Sequence, residues 1–392
     1  MDQIKQHVLS LEPELIALRR DFHKHPELGF AEFRTSGIVE NYLRELGLEV
    51  TKVAGTGVVA LLNGDHPGKT VMLRADLDAI PQTEQVDVEF KSSNPGVMHG
   101  CGHDGHTAML LVAARILSEY KDRIHGNVKF VFQPNEEEAG ALDMIREGVL
   151  EDPTVDAAFG IHLWTPIASG RVGLAEGPVM GALEEFELVI KGKAGHTGSP
   201  HTAIDPIIAA TTIVQNVQTL QTRETDPLSP IAIMFGKFHG GSGRNIIAES
   251  VELGGTIRFL FKDEVREKKE LMDKFQRMIK GLCEAMNVDY ELRFIPSNPA
   301  LQNAASLVGY IRKAAIETFG SEDIFDEHRN MAGEDFAEFS QRVPSLFYFI
   351  GNGNEAKGTT YPHHHPLFQL DEDTLKYGVE MHVRSALDFL AE

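Results

Sequence analysis

The chain has 392 residues, 42% hydrophobic and 24% charged; that balance excludes a disordered or fibrous protein, and a single core stops growing at about 250–300 residues, so two domains are expected. Its 37 basic and 58 acidic side chains leave a formal charge of −21, which repels phosphate backbones and anionic lipid and makes neither nucleic acid nor membrane an expected partner. The two cysteines, Cys101 and Cys283, give no disulfide framework, and no apolar stretch reaches signal-peptide or membrane-span length, so the sequence reads as a soluble cytoplasmic protein.

Ile4, Val8, Leu11, Leu15, Ile16 and Leu18 recur at helical spacing and predict a helical segment from Ile4 to Phe22, followed by a second from Thr35 to Leu46. The period then changes. Apolar runs of strand length start at Val58, Thr70, Asn127 and Val155, separated by predicted helices at Thr107–Tyr120 and Ala141–Glu147. Nearly continuous apolar strands alternating with helices predict an α/β domain whose sheet is covered on both faces.

From about Leu183 the texture alters. An alternating strand, a helix over Asp205–Leu220, two further strands, a helix over Asp263–Met286 and a strand at Tyr290–Phe294 make up an α+β block of about 115 residues, a comfortable domain size. After Ser297, Asn298 and Pro299 the α/β texture returns, with a helix over Ala304–Phe319 and the apolar run from Leu346. The expected organisation is a discontinuous α/β domain over 1–182 and 298–392, interrupted by an inserted domain over 183–297.

Chemistry-bearing residues gather just after the apolar runs, where open α/β sheets place their sites. Asp76 and Asp78 follow the run from Thr70; Glu136, Glu137 and Glu138 follow the run from Asn127; His162 follows the run from Val155; His364 lies in a Pro-bounded loop after the run from Leu346. Met98 to His106 reads M-H-G-C-G-H-D-G-H, a thiol and several imidazoles among glycines. Thiolate, imidazole and carboxylate together suit borderline metals such as zinc or manganese; the alternative is a helix-capping loop with incidental histidines. Of two adjacent glutamates beyond a strand, one can hold metal while the other moves protons. One of the two aspartates can orient a ligating imidazole, and the other can serve the turn.

In these residues the chain resembles the two-metal aminoacylase and carboxypeptidase superfamily, metallopeptidase family twenty. Within it the similarity is to the amidohydrolase subfamily of hippurate hydrolase, N-acyl-L-amino acid amidohydrolases, auxin-conjugate hydrolases and N-acetyldiaminopimelate deacetylase. The motifs span nearly the whole chain: R-R-D-F-H-K-H-P-E-L-G-F from Arg19, R-A-D-L-D-A-I-P from Arg74, the M-H-G-C-G-H-D-G-H stretch, F-Q-P-N-E-E, I-H-L-W, G-K-A-G-H, A-G-E-D-F and H-H-P-L-F.

The resemblance implies a metal-binding catalytic domain and an inserted lid domain that mediates homodimerisation. It implies two divalent ions, manganese or zinc with cobalt or nickel as alternatives, held by Cys101, His103, Glu137, His162 and His364. It makes Glu136 the general base, Asp78 the residue behind a ligand, and His196 the lid residue that stabilises the oxyanion, across a dimer interface in one arrangement. Asn245 and Arg258 would hold the substrate, although a structural ion pair is an equal alternative for Arg258.

Two departures from the subfamily pattern matter. P-N-E-E-E-A-G-A replaces P-A-E-E and a glycine-rich stretch, which opens a shifted register of Glu137 and Glu138; H-H-H-P offers His363, His364 and His365, of which the pattern H-x-P selects His364. The expected activity is hydrolysis of N-acyl amino acids to a carboxylate and a free amino acid. A carboxypeptidase or dipeptidase on the same scaffold is the nearest alternative; a cysteine hydrolase using Cys101 with His103 and a non-catalytic binding homologue are the others.

Overall fold

A computed structural model describes residues 2–321 and 324–391, except for the side chain of Pro296. In chain order the elements are α1 (Gln3–Ser10), α2 (Glu12–Lys24), α3 (Phe33–Glu45), β1 (Glu49–Val53), β2 (Gly57–Asn63), β3 (His66–Asp76), α4 (His103–Ser118), β4 (His125–Gln133), α5 (Ala141–Arg146), β5 (Ala157–Ala168), β6 (Val172–Gly173) and β7 (Gly177–Met180). Next come β8 (Ala182–Lys191), β9 (Gly195–His196), α6 (Pro206–Thr219), β10 (Ile231–Gly240), β11 (Ile246–Ile247), β12 (Ser250–Phe259), α7 (Glu264–Met286) and β13 (Asp289–Pro296). The last are β14 (Leu301–Asn303), α8 (Ala305–Phe319), β15 (Phe325–Asp326), α9 (Ala337–Ser340), β16 (Ser345–Gly353) and α10 (Leu375–Phe389).

Two compact units result. One runs to Val179 and resumes over Leu301–Arg329 and from Glu334 onward; the other comprises Met180–Ala300 with Asn330–Gly333. The first is built on a mixed eight-stranded sheet in the order β1-β2-β4-β3-β5-β16-β6-β15. Its centre, β4-β3-β5-β16, is parallel, whereas β1 and β2 run antiparallel at one side. From Thr70 onward every residue of β3 is buried, and β4, β5 and β16 are almost as completely covered. Burial of successive residues requires cover on both faces, because neighbouring side chains point to opposite sides.

The second unit has an antiparallel four-stranded sheet, β10-β12-β8-β13, and its own core in which Phe186, Ile213, Phe259 and Phe275 are buried. β8 alternates buried with less buried residues, as expected of a sheet with one covered face. Among the described residues no helix is long and apolar enough to cross a membrane.

Two helices differ from their sequence reading. The predicted segment from Ile4 to Phe22 is two helices that meet at Leu11, with Pro13 in the first turn of the second, where its missing N–H costs nothing. The helix expected from Thr107 begins at His103, so the metal-ligand motif itself forms the first turn of α4. Gly102 makes that start possible: its φ of +93° is open to glycine and strained for any side chain.

Candidate metal centre

The strand register carries the first part of the site. Arg74 of β3 pairs with Gly160 of β5 in parallel, so two residues further along each strand Asp76 stands level with His162. Beyond the end of β4, the chain makes a tight turn over Glu136–Glu138 between two left-handed residues, Asn135 (φ 55°) and Ala139 (φ 68°). Non-glycine residues in that region are strained, and such strain persists where surrounding contacts fix it, often at functional sites. His364 is likewise left-handed (φ 64°), and its N–H donates to the Gly100 carbonyl at 2.8 Å, which ties its loop to the Met98–His106 motif.

The donor atoms converge. His162 Nε2 lies 3.6 Å from Cys101 Sγ, and His364 Nε2 lies 3.1 Å from Glu137 Oε1. One donor atom from each of Cys101, His103 and His162 falls within 4.8 Å of the others, and the same holds for Cys101, Glu137 and His364 and for His103, Glu136 and Glu137. Cys101 therefore belongs to two overlapping groups.

Each imidazole is held so that one nitrogen is left for a ligand. His103 donates Nδ1–H to the Asp78 carbonyl at 2.9 Å, and its Nε2 is buried without a hydrogen-bond partner. His162 donates Nδ1–H to the Leu163 carbonyl at 2.9 Å, leaving Nε2 toward Cys101. Anchoring one ring nitrogen and freeing the other is how proteins prepare histidine for metal. The orphaned nitrogen and the thiol–imidazole–carboxylate set fit two borderline divalent ions.

Asp78 lies behind this group: its Oδ1 is 3.3 Å from His103 Nδ1, and its Oδ2 accepts the Glu137 N–H at 3.0 Å. Glu136 Oε2 is 3.7 Å from His103 Nε2. Burial, and then the neighbouring carboxylates Glu334, Glu137 and Asp335, hold the Glu136 carboxyl well above the usual carboxylate range, which favours a group that must take up a proton near neutral pH. Glu138 is exposed and contributes to none of these groups. His363 donates Nε2–H to the Leu163 carbonyl at 3.0 Å and stacks on Trp164, while His365 accepts the Leu367 N–H and stacks on Tyr361. Of the three consecutive histidines, His364 is the one that meets Glu137.

The remaining named residues lie in the second unit. His196 in β9 pairs with Ile246 in β11, and Thr197 bonds to the Asn245 carbonyl, so His196 and Asn245 share one exposed corner. Arg258, near the end of β12, donates Nη1 to the Met331 carbonyl at 2.9 Å.

Sequence reasoning passed over two groups with no local signature. His106 is a buried structural partner of Asp76, 2.7 Å away, although it stands in the same motif as Cys101 and His103. Arg74, Gln133, Glu334 and Asp335 form a buried polar cluster next to Glu136. Their motifs were visible, but nothing in the spacing indicated that they meet.

A family model, Peptidase family M20/M25/M40, matches residues 72–388. Thermostable carboxypeptidase 2 of Saccharolobus solfataricus is 38% identical over 99% of this chain and 98% of its own length. The N-acyl-L-amino acid amidohydrolase of Geobacillus stearothermophilus is 41% identical over 75% of this chain and 79% of its own. The crystal structure of the Bacillus subtilis YxeP protein, a dinuclear metal-binding peptidase of the M20 family, superposes with a TM-score of 0.85 at 32% identity, covering 97% of this chain and 99% of that one. With its donor groups arranged for a dinuclear centre, the chain belongs to Peptidase family M20/M25/M40 and is a metal-dependent hydrolase of amide bonds.

Proposed function

We propose that the protein hydrolyses the amide bond of N-acyl amino acids, releasing a carboxylate and a free amino acid. The observation that carries this reading is the convergence of Cys101, His103, Glu137, His162 and His364 with the buried, proton-retaining Glu136 at their side. Two bound divalent ions, manganese or zinc, would polarise the amide carbonyl and acidify the attacking water. Glu136 accepts the proton of that water as its oxygen attacks the carbonyl carbon, and delivers it to the nitrogen as the C–N bond breaks. Asp78 fixes the His103 ring and the Glu137 backbone, so that both sides of the donor set keep their orientation.

In the second unit, His196 would donate to the developing oxyanion and Asn245 and Arg258 would grip the substrate; the guanidinium suits a carboxylate because it presents paired donors in one plane. β10 supports a homodimer through this unit, since it is an edge strand with Met234 62% exposed and Phe238 44% exposed, and such edges invite pairing. The carboxypeptidase relative supports a second reading, cleavage of a peptide bond by the same groups.

The test is a substrate panel. Protein prepared without metal is assayed for free amino acid released from N-acetyl and N-benzoyl amino acids and from dipeptides, with and without added manganese or zinc. Metal-restored turnover confined to the acyl substrates supports the proposal; turnover confined to the peptides replaces it with the carboxypeptidase reading.

A further inference from the structure

The motif A-G-E-D-F, which the proposed chemistry leaves without a task, supplies two fully buried carboxylates. Glu334 and Asp335 are 2% and 0% exposed, and they surround a guanidinium, Arg74, that is 1% exposed. Arg74 donates Nη1 to Asp76 at 2.6 Å, Nε to Gln133 at 2.9 Å, and Nη2 to both Glu334 and Asp335 at 3.0 Å. Every branch of the planar fork is therefore used.

Asp335 has a second set of contacts. Its two oxygens accept the Gln133 side-chain N–H at 2.7 Å, and Oδ2 also accepts the Ala141 backbone N–H at 2.8 Å. Gln133 is the last residue of β4 and Ala141 the first of α5; between them lies the strained turn that bears Glu136 and Glu137. One carboxylate thus ties the two ends of that turn together. Glu334 Oε1 accepts the Phe336 N–H at 2.8 Å as well as Arg74, which fixes the side chain beside Asp335. A ligand-type oxygen of Glu136 lies within 4.8 Å of oxygens of both Glu334 and Asp335.

We propose that Asp335 is a positioning residue for Glu136: with Arg74 and Glu334 as its frame, it clamps the Gln133–Ala141 segment and so sets where the base's carboxylate stands. This rests on the proposed role of Glu136. Small displacements of a reacting group are expensive, on the order of a hundredfold in rate for about 1 Å. Loss of the clamp is therefore read in kcat rather than in substrate affinity.

The experiment compares Asp335→Asn, Gln133→Met and the double variant with the parent enzyme, measuring kcat, KM and metal content on the best substrate of the panel. The expected result for each single variant is a fall in kcat of about tenfold or more, with KM within about threefold and metal content unchanged. Because both substitutions cut the same tie, the double variant should lose little more than the worse single one. Asp335→Asn with kcat within about twofold of the parent overturns the proposal, as do losses that multiply in the double variant. So does a fall in metal content parallel to kcat, which marks a merely structural role. If Asp335→Asn does not fold, Gln133→Met alone decides by the same criteria. Glu136→Gln serves as control: if it stays active, the base assignment has failed; if it is inactive while Asp335→Asn retains kcat, only the positioning role has failed.

Discussion

His106 Nδ1 stands 2.7 Å from Asp76 Oδ1, while its Nε2 accepts the Leu163 N–H at 3.0 Å. The ring is therefore a neutral tautomer with its proton on Nδ1, and both nitrogens are spent on the protein. His106 neighbours His103 in sequence and in space, with ring centroids 5.6 Å apart, yet it has no free donor for a metal.

His106→Ala should consequently leave metal content near that of the parent and lower stability, because a buried carboxylate and a buried N–H each lose a partner. The expected cost is about 2–4 kcal/mol. Urea unfolding with metal analysis of the folded protein checks this. Loss of bound metal with unchanged stability would make His106 a ligand.

The run of three glutamates gives a second prediction. Glu137 shares its position with Cys101 and His364, whereas Glu138 is exposed. Glu137→Ala should lose bound metal and turnover together; Glu138→Ala should change kcat by less than about twofold, as exposed positions without partners do. The reverse pattern would shift the register by one residue.

Much of the fold was legible because the central strands are buried on both faces. The apolar runs at Val58, Thr70, Asn127, Val155 and Leu346 stand out without any alternation and all form strands of the eight-stranded sheet. The edge strand Glu49–Val53, with only Val50 and Val53 buried, has no such run and was not read. α10 was missed as well: polar residues such as Glu380, His382 and Arg384 are buried in it by their own partners, which blurs the apolar stripe. In the site, metal-binding residue types announced themselves locally. The Gln133–Asp335 tie joins positions 202 residues apart, and neither residue type nor spacing marks such a pairing.

Stability toward acid should depend on His382. This ring is 1% exposed on α10, and its Nδ1 has no partner. Burial first, and then the nearby His106, push its pKa down to about 3. The unfolded chain binds a proton near pH 6.5 that the folded state refuses, so the stabilising preference for the neutral ring is fully present above that pH. It is lost as pH falls from about 6.5 toward 3, at about 1.4 kcal/mol per pH unit. Urea unfolding at pH 7 and pH 5.5 should show a steeper loss for the parent than for His382→Leu; equal slopes would contradict the assignment.

The account stands or falls on the division of labour between Glu136 and Glu137. The most direct measurement is Glu136→Gln, isosteric and still hydrogen-bonding, with bound metal determined by mass spectrometry and turnover by release of free amino acid. Metal content equal to the parent, with turnover reduced by about a hundredfold or more, is the predicted result, within the range that proton transfer by a positioned side chain contributes. Turnover close to that of the parent would remove Glu136 as the base, and loss of metal would make it a ligand instead.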